Sequence, residues 1–132
     1  MKPLAFTLTS PNIEKVLLTT CGICFPFLPQ KTMQTPPIRW VNGLWDTGAT
    51  NSVINESIAK ELGLKPIGIA KVHHANGESI VNKYLVNIVL PNKMMLPMIT
   101  VTEGKLSGTD VLLGMDIISL GDFSISHKDG GT

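Results

Sequence analysis

Asn76-Gly77 stands between two β-leaning runs, Ile69 to His74 and Glu78 to Leu90. This dipeptide constrains the fold more than any other feature of the chain. An Asn-Gly pair supplies the two positive φ angles of a type I′ turn, and such a turn joins neighbouring antiparallel strands. Pro91-Asn92-Lys93 marks a second turn, and Met94 to Thr102 returns from it. The middle of the chain therefore reads as long β-hairpins. The 12 Gly and 9 Pro cut the remainder into short elements, again favouring strands over long helices.

Elsewhere the pattern is of the same kind. Leu4, Phe6 and Leu8 alternate with Ala5, Thr7 and Thr9, a period-2 strand signal. Val16 to Phe27 is apolar and β-leaning, and a strand is expected from about Ile38 to Trp45. Pro36-Pro37 belongs at an edge or outside a sheet, since neither residue donates to a ladder. One helix is expected between Asn55 as N-cap and Gly63 as terminator, with Ile58 and Leu62 on one face. Val111-Leu112-Leu113 reads as a short buried strand ended by Gly114. Met115 to Leu120 follows as one or two helical turns, and Asp122 to Ser126 alternates again.

Composition excludes several functions. The 132 residues match one domain, taken as 1–132, with the strands of 1–37 the least defined part. The formal net charge is +1, which argues against nucleic-acid binding, since that needs a basic face. Val16 to Leu28 is broken by Thr19, Thr20, Gly22 and Pro26, far short of the ~20 apolar residues of a membrane span. Pro3, Thr7, Thr9, Ser10 and Pro11 interrupt any secretory signal. Two cysteines make no disulfide framework. The expected location is a reducing, cytoplasmic one.

Asp46-Thr47-Gly48-Ala49 interrupts two apolar strands, Gly43-Leu44-Trp45 and Ser52-Val53-Ile54. The Thr-Gly after the acid offers a hydroxyl and a bare backbone, as a carboxylate on the floor of a cleft requires. Downstream stands Leu112-Leu113-Gly114, followed by a short helix, and the Asn-Gly hairpin lies between the two motifs. Together these resemble the retropepsin family, the single-lobe aspartic proteases of retroviruses and their bacterial, phage and cellular relatives. The resemblance runs from about Gly43 to Ser126, and its two motifs look more like the bacterial and cellular branch.

That resemblance implies a mostly β, closed, single-lobe acid-protease fold with one or two short helices, active as a homodimer on a polypeptide substrate. It implies Asp46 as the catalytic residue, supported by Thr47, Gly48 and Ala49. Leu112, Leu113 and Gly114 would form the second motif beneath it. His74, Ala75, Asn76 and Gly77 would form the tip of a flap over the substrate. The chain holds one Asp-Thr-Gly, so the second acid should come from a second copy; Asp110, Asp116, Asp122 and Asp129 lack that setting. No metal or cofactor is implied. Viral members carry an acid after Asp-Thr-Gly-Ala and an Arg after the second motif. Here those positions are Thr50 and Met115, so both partners of that ion pair are absent together. Phe123 and Ile125 would lie on a terminal strand that helps form the dimer.

Three weaker signals take plainer readings. Cys21-Gly22-Ile23-Cys24 has redox or metal spacing, but with apolar flanks and no second CxxC it reads as two buried structural cysteines. His73 and His74 point to opposite faces of a strand and make no chelating pair. Met94, Met95 and Met98 read as packing residues. The alternative function is a catalytically silent module of the same fold that dimerises or holds peptides; a third reading is a structural β-domain, which would be monomeric.

Overall fold

The computed structural model of the chain describes residues 4–31 and 34–132. Seven strands and two short helices follow in the order β1 (Leu18–Cys24), β2 (Arg39–Trp45), β3 (Val53–Asn55), α1 (Glu56–Leu62), β4 (Gly68–His74), β5 (Gly77–Leu90), β6 (Met94–Gly104), β7 (Val111–Leu113) and α2 (Met115–Ile118).

Six of the strands close on themselves. The sheet runs β1-β2-β7-β3-β6-β5, and β5 pairs back onto β1 through Gly22↔Val89, Ile23↔Ile88 and Cys24↔Asn87. Closure leaves the six ring strands without the free edges that invite aggregation. Two of the pairings are parallel, β2 with β7 and β3 with β6. The first of these places Asp46 and the segment after Leu113 at the same end of the barrel. Strand β4 lies outside the ring, paired only with β5.

The barrel interior is apolar. Ile23, Ile54, Val86, Ile88, Val101, Val111 and Leu113 are essentially sealed from solvent, joined by Ile58 of α1 and Ile117 of α2. Strand β5 changes character along its length: its first residues are exposed in the projecting hairpin, while Tyr84 and Val86 to Leu90 are buried. Cys21 and Cys24 are free, buried thiols, as expected. Gly43 sits where the barrel wall is tightest, since a Cβ there would meet Leu113 Cδ1 at 2.9 Å and Cys21 Sγ at 3.1 Å.

Helix α1 forms where the pattern placed it. Gly63 ends it in the left-handed region, φ 68°, and the Leu64 N–H reaches back to the Ala59 carbonyl at 3.0 Å, the closure that glycine permits at a helix C-terminus. Asn55 occupies the N-cap position but does not cap: its amide donates to the Leu106 carbonyl at 3.3 Å. No helix among the described residues is long and apolar enough to cross a membrane.

Three expectations need correction. Leu4 to Thr9 and Asp122 to Ser126 form no strand; alternation sets the faces of a segment but supplies no partner for its backbone. The hairpin turn is shifted by one residue. His74 pairs with Gly77, so the turn centres on Ala75-Asn76, and only Gly77 of the Asn-Gly pair has a positive φ, 118°. Two consecutive positive φ angles occur instead at Asn92 (62°) and Lys93 (56°), in the turn between β5 and β6.

Candidate active site

Asp46 follows the last residue of β2. Trp45 pairs with Leu113 in the parallel β2–β7 ladder, and the Asp46 N–H continues it by donating to the Leu113 carbonyl at 2.9 Å. The chain then turns sharply. The Ala49 N–H donates to the Asp46 carbonyl at 3.2 Å, and the Gly48 N–H donates to Asp46 Oδ1 at 2.8 Å. The carboxylate is thus aimed by its own loop. A Cβ at Gly48 would lie 3.2 Å from Asp46 Oδ1, so this position keeps the space beside the carboxylate open. Asp46 is half-buried, while Thr47 and Gly48 are exposed.

Trp45 anchors the loop from below. Its indole Nε1 donates to Thr19 Oγ1 at 2.7 Å, and its ring meets Phe123 at 5.3 Å between centroids. Trp45 is therefore a framework residue.

The second motif holds the loop from the other side. Leu113 is sealed in the barrel and Leu112 is half-buried. Gly114 lies against the loop backbone: a Cβ there would meet the Ala49 carbonyl oxygen at 2.7 Å and the Asn51 carbonyl at 3.0 Å. The Met115 N–H donates to the Ala49 carbonyl at 2.7 Å, and the Asp116 N–H to the Thr50 carbonyl at 3.2 Å. Both motifs thus meet at one end of the barrel.

Two residues that sequence reasoning passed over complete this junction. Asp116 accepts the Ser52 N–H at 2.9 Å, the Ser52 hydroxyl at 2.7 Å and its neighbour's Ile117 N–H at 2.9 Å. The Ser52 oxygen in turn accepts the Gly114 N–H at 3.0 Å. A charge-assisted network therefore ties the Asp46 loop to α2 in a chain with Thr50 and Met115 where an ion pair was expected to be missing. The available signal was the serine two residues beyond Thr50 and the acid directly after Met115.

The hairpin tip stands apart. His74, Ala75, Asn76 and Gly77 are all exposed, and among the described residues no hydrogen bond joins them to residues 46–49. Within the tip, His74 Nδ1 accepts the Asn76 N–H at 3.2 Å and Nε2 lies 2.8 Å from Ser79 Oγ. His73 instead faces Glu78 at 3.1 Å, so the two rings have different partners. Ile69 and Ile80 are exposed on this arm.

The model of the family described as gag-polyprotein putative aspartyl protease matches residues 39–119. The chain belongs to that family. The matched stretch begins with β2 and runs through α2, so it holds both motifs and the hairpin between them. Solved structures of the same aspartyl-protease fold agree. The EIAV protease complexed with the inhibitor HBY-793 is 22% identical with a TM-score of 0.60, covering 87% of this chain and 97% of that one. The solution structure of simian foamy virus (mac) protease is 15% identical with a TM-score of 0.54, covering 83% of this chain and 100% of that one. At these identities the likeness is one of fold. No curated protein sequence matches the chain.

Proposed function

We propose that the chain is an aspartic endopeptidase that works as a homodimer, with one Asp46 from each copy. The observation that carries the reading is the seat of Asp46. Its backbone is fixed to Leu113 and its carboxylate oriented by the Gly48 N–H, within a chain of the aspartyl protease family. Peptide hydrolysis without a covalent intermediate needs two carboxyl groups facing one water. The chain has one Asp-Thr-Gly, so a two-fold axis through a second copy supplies the other.

Two carboxyls that close together share one proton, the behaviour that defines aspartic proteases as a class. The ionised Asp46 takes a proton from water as the water oxygen bonds to the scissile carbonyl carbon. The protonated Asp46 of the other copy gives its proton to the carbonyl oxygen. Collapse of the tetrahedral diol breaks the C–N bond, and the nitrogen leaves with a proton from the pair. Thr47 hydrogen-bonds across the dimer beneath the acids, and Gly48 leaves room for the substrate backbone. Ala49 and the Leu112, Leu113 and Gly114 segment hold the loop. The hairpin tip at His74, Ala75, Asn76 and Gly77 closes over the substrate and excludes water. The domain responsible is the whole chain, 1–132.

The test is cleavage of a diverse peptide pool by the parent and by Asp46→Asn, from mildly acid to neutral pH, with sizing of both. An asparagine keeps an oxygen for the Gly48 N–H, so the variant should fold as the parent does. Cleavage should fall by about 10²- to 10⁴-fold, the range for removing a positioned acid or base. Equal cleavage by both proteins overturns the assignment. A folded dimer that cleaves nothing points to the silent peptide-binding module.

A further inference from the structure

Strand β5 changes partners part-way along one edge. Gly77 to Lys83 pair with β4 in the projecting hairpin, whereas Asn87 to Val89 pair with β1 and close the barrel. Tyr84, Leu85 and Val86 between them pair with neither. The hairpin arm therefore leaves the barrel at this point. On its other edge β5 stays with β6 from Lys83 to Leu90, and the break in that register falls at the same place. Val86 pairs with Ile99 and Ile88 with Leu96, so Pro97 and Met98 together oppose the single residue Asn87. This is a β-bulge, which bends the strands locally and increases their twist.

The bulge holds a backbone angle that its residue does not favour. Met98 has φ 57°, a left-handed value that few residues other than glycine and asparagine adopt. It is 44% exposed, so tight packing of its side chain does not impose the angle. A hydrogen bond holds it instead: the Met98 N–H donates to Asn87 Oδ1 at 2.9 Å. Pro97 has no N–H that needs a partner. The same Oδ1 accepts the Phe27 N–H at 3.2 Å, and Asn87 Nδ2 donates to the Phe27 carbonyl at 2.7 Å. Val86 and Ile88 fill the barrel interior, so Asn87 points to the outside. It is nevertheless fully buried. An amide with two N–H groups on its oxygen and a carbonyl on its nitrogen has one orientation, so its acceptor is fixed against the bulge.

We propose that Asn87 is a positioning residue for the cleft. By holding the bulge it sets the direction in which the hairpin arm leaves the barrel, and so where the tip stands over the substrate. This rests on reading the hairpin as a flap above Asp46, but the aim of the arm belongs to the fold and is measured without cleavage. The leverage is large. An arm the length of β4, 7 residues, reaches about 23 Å at ~3.3 Å per residue, so a turn of about 10° at its base moves the tip by about 4 Å.

Met98 supplies variants that leave the buried amide in place. Valine is β-branched and resists a positive φ, whereas glycine adopts it freely. Spin labels are carried at the tip by Asn76→Cys and on α1 by Lys60→Cys, both at exposed positions, while Cys21 and Cys24 are buried. The distance between the labels should shift by about 4 Å in Met98→Val and in Asn87→Ala. It should stay at the parent value in Met98→Gly and return toward it in Asn87→Ala combined with Met98→Gly. Without labels, Met98→Val should raise KM for peptide cleavage by about 3- to 10-fold with kcat nearly unchanged, the signature of lost substrate binding.

An unchanged distance in Met98→Val and Asn87→Ala overturns the proposal and leaves Asn87 a stabilising residue only. So does a shift in Asn87→Ala that Met98→Gly does not reduce, which places the action of the amide on the Phe27 segment. A shifted arm with an unchanged KM overturns the link to the cleft. If Asn87→Ala does not fold, the contrast between Met98→Val and Met98→Gly decides alone. A parent that cleaves nothing counts against the assignment of Asp46, and the distances still decide whether Asn87 aims the arm.

Discussion

Ser52 Oγ lies 2.7 Å from Asp116 Oδ1 and also accepts the buried Gly114 N–H at 3.0 Å. One hydroxyl therefore satisfies both the loop that carries Asp46 and the turn that starts α2. Ser52 is fully buried, so no water replaces it. Ser52→Ala strands the Gly114 N–H and removes one of the three donors from Asp116. The expected loss is about 2–3 kcal/mol, the upper range for a buried partner left unpaired beside a charged group. Asp116→Ala should cost at least as much, because it also frees the Ser52 N–H. The double variant should lose less than the sum, by about 0.5–3 kcal/mol. Chemical denaturation of the four proteins checks this, and strict additivity would show that the two residues act separately.

Gly114 makes a sharper steric prediction. A Cβ at this position meets backbone, the Ala49 oxygen at 2.7 Å and the Asn51 carbonyl at 3.0 Å, and backbone does not swing aside as a side chain does. Gly114→Ala should destabilise the chain by about 1–3 kcal/mol. It should also reduce cleavage beyond that, since the displaced segment carries Asp46. Gly68→Ala is the control: nothing lies within 4 Å of its Cβ, so its effect should stay within about 0.5 kcal/mol.

These residues show how much of the site was legible in advance. Asp46-Thr47-Gly48 and Leu112-Leu113-Gly114 were readable because each is a local pattern of residue types. Asp116 was not, because its partner Ser52 is brought to it by the parallel β2–β7 pairing and the β3–β7 pairing, and no local period encodes a parallel crossover. The fold divides in the same way. Helix α1 followed from Ile58, Leu62 and Gly63 because its determinants lie within one element. Leu4 to Thr9 and Asp122 to Ser126 carried the strand alternation without a strand. Alternation records which side chains face inward, while a strand also needs a neighbouring backbone. The hairpin was found from Asn76-Gly77, but its turn sits one residue earlier, because pairing along β4 and β5 sets the register.

Lys93 tests the turn between β5 and β6, where two consecutive residues hold positive φ angles. Asn92 tolerates this conformation, but Lys93 at φ 56° holds a Cβ against the following carbonyl, costing about 1–2 kcal/mol. Lys93→Gly removes that strain and adds about 0.5–1 kcal/mol of chain entropy to the unfolded state. The net expectation is a gain of up to about 1 kcal/mol, a rise of a few degrees in melting temperature. The same change at exposed Lys71 in β4 should lower stability, because a strand interior has no use for glycine. A fall in melting temperature for Lys93→Gly would contradict the assignment of strain to this turn.

Cys21 offers a prediction at alkaline pH. Burial in the barrel, with the Asp110 charge adding to it, pushes its thiol up from 9.0 to about 12. The folded chain therefore holds the proton more tightly than the unfolded one. This contribution is complete below pH 9, where both states keep the proton. Above pH 9 the unfolded chain releases it and the folded chain does not, so stability falls until pH reaches about 12. The slope for one such group is about 1.4 kcal/mol per pH unit. Cys21→Ala starts less stable because it leaves a cavity, but it lacks this slope. Cys24 and the tyrosine titrate in both proteins, so their contributions cancel in the difference. Denaturation midpoints at pH 8, 9, 10 and 10.5 should show the advantage of the parent constant up to about pH 9 and shrinking above it. Parallel curves across that range would place the thiol in contact with water and refute the sealed environment assigned to it.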